Sequence, residues 1–304
     1  MRTLRAETNI DKLKICYVQP ASFFESLLSS FNNTGNGILD YMDFRLHLDE
    51  TECNQDNQIV KMIVSVQYDM DGNNNCLGEF EFSLTGKYKG LCFFTFNNKA
   101  LYTLFQHYEG IKYNVISFIE FVTAVLGLDF NNVTLAEICL DTNKNLIATL
   151  RKYIKDYKGY EMFLNGNLVH DEYRKLENYG EFFSRSRKKL NRQPTLYLRQ
   201  KKQSGLALRV YNKSAELEGT QKDYITNWLG FGEQTIYRAE ITIRNTEIRQ
   251  YCDDTNHEYN EVIQLLIDKD WRAGVWADAV RRIIYFRSRT TGEEVELADI
   301  LKSI

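Results

Sequence analysis

The chain lacks several motifs that mark large classes of protein. It has only two prolines in 304 residues, which excludes long proline-rich linkers. No P-loop pattern occurs in it, so this sequence encodes no ATP-driven strand separation. Its six cysteines form no C-x-x-C pair, and its four histidines are scattered without an H-x-H pair. These absences argue against zinc-binding modules and against a two-histidine metal motif.

A strong charge of one sign and long apolar runs are also missing. The formal net charge is −3 and the hydrophobic fraction is 43%, which is ordinary for a folded protein. No window approaches a membrane span, and the start MRTLRAETNIDKLK has no apolar signal core. We therefore expect a cytoplasmic protein in a reducing compartment, with no membrane partner.

Aromatic side chains and one cationic run stand out against this background. Aromatics make up 13% of the residues, and they either fill a β-rich core or stack on nucleic-acid bases. Nine Lys or Arg occur between Arg185 and Arg209 with no acid among them. Such a run fits contacts with DNA phosphates, and it also fits a solvated protein face. The predicted DNA-binding residues are Arg185, Arg187, Lys188, Lys189, Arg192, Arg199, Lys201 and Lys202.

The hydrophobic pattern predicts an α+β fold with a mostly antiparallel central sheet and helices packed on it. Alternating residues predict strands, the first of them over Ile38–Asp49. The sequence DGNNN at Asp71–Asn75 predicts a hairpin turn. We divide the chain into an N-terminal segment (1–36), a central domain (37–250) and a C-terminal helical appendage (251–304).

Two acids are predicted to share one face of the strand LAEICLD. Side chains alternate across a strand, so Glu137, Cys139 and Asp141 point to one side and the apolar residues between them to the other. Oxygen ligands of this kind suit a hard divalent cation. They also suit a face that simply meets water.

A third acid, Glu240, lies in the strand YRAEITIR and shares its face with Arg238 and Arg244. If this strand pairs beside the acidic strand, its carboxylate meets those of Glu137 or Asp141. Like charges opposite one another on neighbouring strands are costly unless a cation lies between them. A metal ion would supply that cation, and so would a salt bridge with Arg238, Arg244 or Lys213.

In the strand LRVYNK, alternation places Arg209, Tyr211 and Lys213 on one face. A tyrosine hydroxyl with an ordinary pKa of about 10 is a poor nucleophile at neutral pH, but nearby cations and a polarised phosphate lower the barrier. We take Tyr211 as the candidate nucleophile, with Arg209 and Lys213 as its catalytic partners. Tyr197 is the second candidate and Tyr237 the third.

The order of these motifs resembles that of the Rep_trans type of rolling-circle replication initiators and of related relaxases of conjugative elements. The resemblance runs from Ile38 to Asn245. It joins ILDYMDFRL as an opening strand, LAEICLD as an acidic strand, and RVYNKSAE and YRAEI as two later motifs. The chain departs from the pattern at Glu137, where the resemblance leads us to expect an aspartate.

The resemblance implies an HUH-endonuclease-like fold with a carboxylate-held metal, Mg²⁺ or Mn²⁺, bound by Asp141, Glu240 and Glu137. It also implies a tyrosine that nicks and rejoins origin DNA to start rolling-circle replication, with a host helicase and polymerase as partners and a homodimer as a possible assembly. The alternatives are a conjugative relaxase with the same chemistry, a DNA-binding replication regulator without nicking, and a protein interaction module with surface acids and tyrosines.

Overall fold

The computed structural model describes residues 6–41, 44–70, 73–106, 115–174, 195–199, 205–218, 220 and 222–302. The chain divides into two compact units. The smaller unit is Ile10–Ala136, and the larger unit joins Met1–Asn9 with Glu137–Ile304.

Strands and helices are interspersed along the described residues, often in runs of one kind. The strands are β1 (Ala6–Val18), β2 (Ile38–Tyr41), β3 (Phe44–Cys53), β4 (Ile59–Met70), β5 (Asn73–Ser83), β6 (Leu91–Phe96), β7 (Asp129–Thr142), β8 (Tyr160–Leu164), β9 (Asn167–Val169), β10 (Leu196–Arg199), β11 (Ala207–Asn212), β12 (Tyr237–Arg244), β13 (Ile284–Ser288) and β14 (Glu294–Val295). The helices are α1 (Phe23–Thr34), α2 (Asn98–Gln106), α3 (Val115–Leu126), α4 (Leu146–Lys155), α5 (Lys213–Leu217), α6 (Asp223–Leu229), α7 (Asn245–Asp254), α8 (Val262–Ile267), α9 (Lys269–Ile283) and α10 (Leu297–Lys302).

The smaller unit is an antiparallel meander with helices. Its strands lie in the order β1-β6-β5-β4-β3-β2, and each neighbouring pair is antiparallel. Aromatic rings fill its core, and Phe118 of α3 lies 4.6 Å from Phe94 between ring centroids. Gly78 of β5 has φ +156°, and a Cβ there would lie 2.3 Å from the carbonyl oxygen of Thr95. This close approach of two strands requires glycine.

The larger unit carries strands β10, β11, β12 and β7 in that order. The pairs β10–β11 and β11–β12 are antiparallel. Helix α4 begins where the side chain of Asn145 accepts a hydrogen bond from the amide of Ala148 at 2.9 Å. Helix α9 begins at the cap Asp268 and is tied to β12, since the indole of Trp276 donates to the carbonyl of Ala239 at 3.0 Å.

A second, four-stranded sheet in the larger unit has the order β14-β13-β8-β9. Strands β13 and β14 come from the segment 251–304, which the sequence pattern predicts to be helical. Strand β13 alternates buried Ile284 and Phe286 with partly exposed Tyr285 and Arg287, and it pairs antiparallel with β8. The C-terminal segment is therefore mixed, because a short alternating run finds a strand partner far away in sequence.

Two further details differ from the pattern predicted near the N-terminus. The segment before residue 19 contains strand β1, which the sequence analysis did not predict. The single strand expected at Ile38–Asp49 is a hairpin, in which β2 and β3 pair with Tyr41 opposite Phe44. The hairpin predicted at DGNNN is confirmed, because Met70 of β4 pairs with Asn73 of β5.

The expected fold class is confirmed: the chain is α+β, with mostly antiparallel strands and helices packed on them. Within the described residues, none of the helices combines the length and the apolar character needed to cross a membrane.

Candidate functional site

Three neighbouring strands of the larger unit align polar side chains in one row. In the β10–β11 register Tyr197 lies opposite Arg209, and in the β11–β12 register Arg209 lies opposite Glu240. Tyr211 is two residues beyond Arg209 on the same strand, so it shares the face of this row. The alternation expected from the sequence therefore brings the predicted tyrosine, arginine and glutamate together.

Glu240 is the centre of the hydrogen bonds in this row. Its Oε2 accepts a hydrogen bond from the hydroxyl of Tyr211 at 3.0 Å. Its Oε1 accepts a charge-assisted hydrogen bond from Nη2 of Arg209. The guanidinium of Arg209 also lies over the ring of Tyr211, 4.9 Å from its centroid. These contacts hold the three side chains in one arrangement.

Tyr211 and Glu240 form the closed, buried end of the row, and Arg209 and Tyr197 form its open end, which is partly exposed to solvent. Tyr211 is 5% exposed and Glu240 is 3% exposed. The side chain of Arg209 is 35% exposed, and Tyr197 is partly exposed. A ligand from solvent would therefore meet the row first at Arg209 and Tyr197.

The pKa values follow from this burial. Burial raises the pKa of the Tyr211 hydroxyl well above its ordinary value; Glu240 raises it further, and Arg238 and Arg209 oppose the rise. Burial alone would lower the pKa of Arg209, but Glu240, Tyr211 and Tyr197 together outweigh it and raise the net pKa. The tyrosine is thus held as a neutral hydroxyl that donates its proton toward a carboxylate.

A second carboxylate, that of Glu137 in β7, lies close to Glu240. Their carboxylate oxygens lie within 4.8 Å of one another. Mg²⁺ and Mn²⁺ prefer oxygen ligands, and Mg²⁺ sites typically use one or two carboxylates with water and phosphate oxygens. The donor chemistry of this pair fits such a cation.

Asp141, the other acid of β7, is placed differently from the expected metal ligand. Its Oδ1 accepts from Nε of Arg238 at 2.7 Å, and its Oδ2 accepts from Nη2 at 2.8 Å. Asn9 donates a further hydrogen bond to Oδ2 at 3.3 Å. Both Asp141 and Arg238 are fully buried. Because a fully buried arginine binds both oxygens of Asp141, whereas the carboxylate oxygens of Glu137 and Glu240 lie close to each other, the geometry favours Glu137 and Glu240 over Asp141 as ligands.

Lys213 also differs from its expected position on the strand. Strand β11 ends at Asn212, whose side chain caps α5 by accepting from the amide of Ala215 at 3.0 Å. Lys213 is the first residue of that helix and is buried. Its Nζ lies 2.6 Å from Glu216 and 5.7 Å from the centroid of the Tyr211 ring. It is a cation beside the tyrosine, paired with an acid.

Most of the predicted DNA-binding run falls outside the described residues. This applies to Arg185, Arg187, Lys188, Lys189, Arg192, Lys201 and Lys202. Arg199 is the last residue of β10. The described end of the run is Arg209, which belongs to the row around Glu240.

Two partners of Asp141, Arg238 and Asn9, were not predicted from the sequence. Arg238 was considered as a partner of Glu240, whereas it binds Asp141, and Asn9 was not considered. For Arg238 the signal was present, since it shares the face of Glu240. For Asn9 we find none, because a lone asparagine 132 positions before Asp141 carries no pattern that links the two.

Among known structures, the chain is similar to a rolling circle replication initiator protein from Geobacillus stearothermophilus. The identity is 16%, the TM-score is 0.45, and the likeness covers 95% of this chain and 89% of that one. No family model and no curated protein matches the chain.

Proposed function

We propose that the protein starts rolling-circle replication by nicking and rejoining single-stranded origin DNA through a tyrosine. One observation carries the proposal: the Tyr211 hydroxyl donates to Glu240 at 3.0 Å, and a second carboxylate, that of Glu137, lies within 4.8 Å of Glu240. A nucleophile, a proton acceptor and a pair of hard oxygen donors then meet on one sheet face.

In the proposed reaction the tyrosine oxygen attacks the scissile phosphorus and the bond to O3′ breaks. The hydroxyl proton passes to Glu240, and the released O3′ takes up a proton from water to become a free 3′-OH. The DNA is left joined to the protein through a 5′-phosphotyrosine. Because the phenolate is a fair leaving group, attack by a 3′-OH reverses the step and rejoins the strand.

The proposed metal ligands are Glu137 and Glu240, and a bound Mg²⁺ or Mn²⁺ would polarise the phosphate. Arg209, at the open end of the row, is suited to neutralise charge that develops on the phosphate oxygens. Lys213, paired with Glu216, is a further cation beside the Tyr211 ring. The cationic run from Arg185 to Lys202 is proposed to hold the origin DNA.

Two tyrosines qualify as the nucleophile for different reasons. Tyr211 already has a carboxylate that can take its proton. Tyr197 is more exposed and lies opposite Arg209, so a phosphate bound at the open end would lie nearer to it. We keep Tyr211 as the first candidate and Tyr197 as the second.

The test is covalent capture. Wild-type protein is mixed with hairpin origin DNA and Mn²⁺, and the adduct is measured on a denaturing gel. We expect Tyr211→Phe to abolish the adduct and leave DNA affinity unchanged, whereas Tyr88→Phe, at an exposed tyrosine of the smaller unit, behaves as wild type. An adduct that survives Tyr211→Phe but disappears in Tyr197→Phe would transfer the role to Tyr197.

A second candidate is a DNA-binding replication regulator that does not nick. It is favoured by the ion pairs of two of the three predicted acids, since Arg238 binds Asp141 and Arg209 binds Glu240. This candidate predicts salt-dependent DNA binding with no adduct from either tyrosine. A conjugative relaxase would share the proposed chemistry and differ in its target DNA.

The proposed nicking reaction implies two host partners. The free 3′-OH would serve a host polymerase, and strand separation would need a host helicase.

A further inference from the structure

Two opposite charges are buried together in the larger unit, next to the row around Glu240. Asp141 and Arg238 are both 0% exposed and are joined by two hydrogen bonds. Removing two ions from water costs several kcal/mol for each, and apolar side chains of similar volume are often at least as stabilising. Stability alone therefore gives no reason for charges at these positions.

The location of Arg238 suggests a reason. It lies directly opposite Tyr211 in the β11–β12 register, and cross-strand neighbours have Cβ atoms about 4.5–5.5 Å apart. It also precedes Glu240 by two residues, so both side chains share one face of β12. Arg238 is thus adjacent to both members of the pair in which the tyrosine donates to the carboxylate.

The guanidinium of Arg238 is held in place by the carboxylate of Asp141. Asp141 binds it through both carboxylate oxygens, and the amide of Asn9 donates to the same carboxylate. The Cys139 thiol lies 3.6 Å from Asp141 Oδ2. A planar guanidinium held by two parallel hydrogen bonds has little freedom to turn.

We propose that Arg238, held by Asp141, is a positioning residue for nicking: it keeps the Tyr211 hydroxyl and the Glu240 carboxylate in their donor–acceptor arrangement. The inference rests on the proposed function. It assigns Asp141 to the support of the site, with Glu137 and Glu240 left to meet a cation. A displacement of about 1 Å at a reacting group costs on the order of 10²-fold in rate, so loss of the support should reduce the rate strongly.

The main test replaces the pair by apolar residues, Asp141→Leu with Arg238→Met. A buried ion pair exchanged for apolar side chains usually leaves the fold intact. We expect cooperative unfolding and DNA affinity within twofold of wild type, while the single-turnover rate of adduct formation falls at least tenfold. A rate within twofold of wild type would overturn the proposal, because a purely structural pair predicts that result.

A milder variant covers the case in which the double variant does not fold. Arg238→Lys keeps the charge next to Asp141 but lacks the second, parallel hydrogen bond. We expect a folded protein whose single-turnover rate is at least threefold below that of wild type, with an unchanged KM for DNA. A rate equal to that of wild type would again contradict the proposal.

The matched control is the ion pair of Arg281 with Glu294, which also has two hydrogen bonds but is largely exposed. Arg281→Met with Glu294→Leu should keep the wild-type adduct rate. The wild type separates the two proposals. If it forms no adduct, the nicking function fails; if it forms one and the Asp141–Arg238 variants match it, only the positioning role fails.

Discussion

The two units of the chain bury different kinds of side chain. Among the described residues, every buried charged side chain belongs to the larger unit, and these are Asp141, Arg174, Lys213, Arg238, Glu240 and Arg272. The buried polar residues of the smaller unit are the neutral Gln19 and Ser65. Its core is otherwise apolar, with many phenylalanines.

This difference indicates that the larger unit gives up stability by burying charged side chains. Burial of apolar surface stabilises at about 25 cal/mol per Å², whereas a buried charge has to recover its lost hydration from partners. In the larger unit each buried charge has such partners: Arg272, for example, donates to the carbonyl of Thr8 at 2.8 Å. We infer that the smaller unit mainly supplies stability and that the larger unit supplies the chemistry.

The largest expected effect is on the reaction. Glu240→Gln replaces the proton acceptor of Tyr211 by a neutral amide, and the adduct-forming rate should fall by about 10²–10⁴-fold, the usual range for general base catalysis. Single-turnover assays with Mn²⁺ measure it. Glu81→Gln, a partly exposed glutamate of the smaller unit, is the control. A rate within threefold of wild type for Glu240→Gln would exclude Glu240 as the base.

The next effect is on stability. Arg238→Met alone leaves the buried Asp141 carboxylate without its ion partner and should lower the free energy of unfolding by about 3–5 kcal/mol. Urea denaturation followed by tryptophan fluorescence reports it, because all three tryptophans (228, 271 and 276) belong to the larger unit. A loss below about 1 kcal/mol would mean that Asp141 is not held by this pair.

A substitution in the smaller unit should separate stability from activity. The ring of Phe118 lies 4.6–6.3 Å from those of Phe44, Phe94, Phe96 and Phe121. Phe118→Ala should cost about 3–5 kcal/mol through the cavity it leaves, while the folded protein keeps the wild-type adduct rate. Circular dichroism in urea and the adduct assay check the two parts. A large drop in the adduct rate would break the division of roles.

The smallest effect is expected at an exposed ion pair. Arg45 and Asp40 lie 2.6 Å apart, and their side chains are 41% and 66% exposed. Arg45→Met should change the free energy of unfolding by no more than about 1 kcal/mol. Circular dichroism in urea measures it, and the variant serves as the surface counterpart of Arg238→Met. Equal losses in both variants would show that burial does not decide what these pairs contribute.

Much of the site was predictable because strand alternation fixes which side chains share a face. Glu137, Arg209, Tyr211 and Glu240 were placed by that rule alone. What alternation cannot give is the register, which determines the residue opposite each side chain. For this reason Arg238 and Asp141 were identified as separate features and not as a pair.

The fold was predicted well where local signals are strong. The sequence DGNNN is a strong hairpin-turn signal, and β4 and β5 pair on either side of it. Strand β1 was missed because its buried positions include Thr8 and Asn9, which a hydrophobic pattern scores as exposed. Strand β13 was missed because it is short and follows a long helix directly.

The contacts of Asn9 and Thr8 affect the order in which the two units can fold during synthesis. Both belong to the larger unit, and their partners Asp141 and Arg272 follow 132 and 264 positions later. A nascent chain emerges from the ribosome at roughly 5–20 residues per second. The segment Ile10–Ala136 is therefore complete and free to collapse while Thr8 and Asn9 still wait for their partners. The order of synthesis alone therefore lets the aromatic core of the smaller unit begin to form before the charged core of the larger unit.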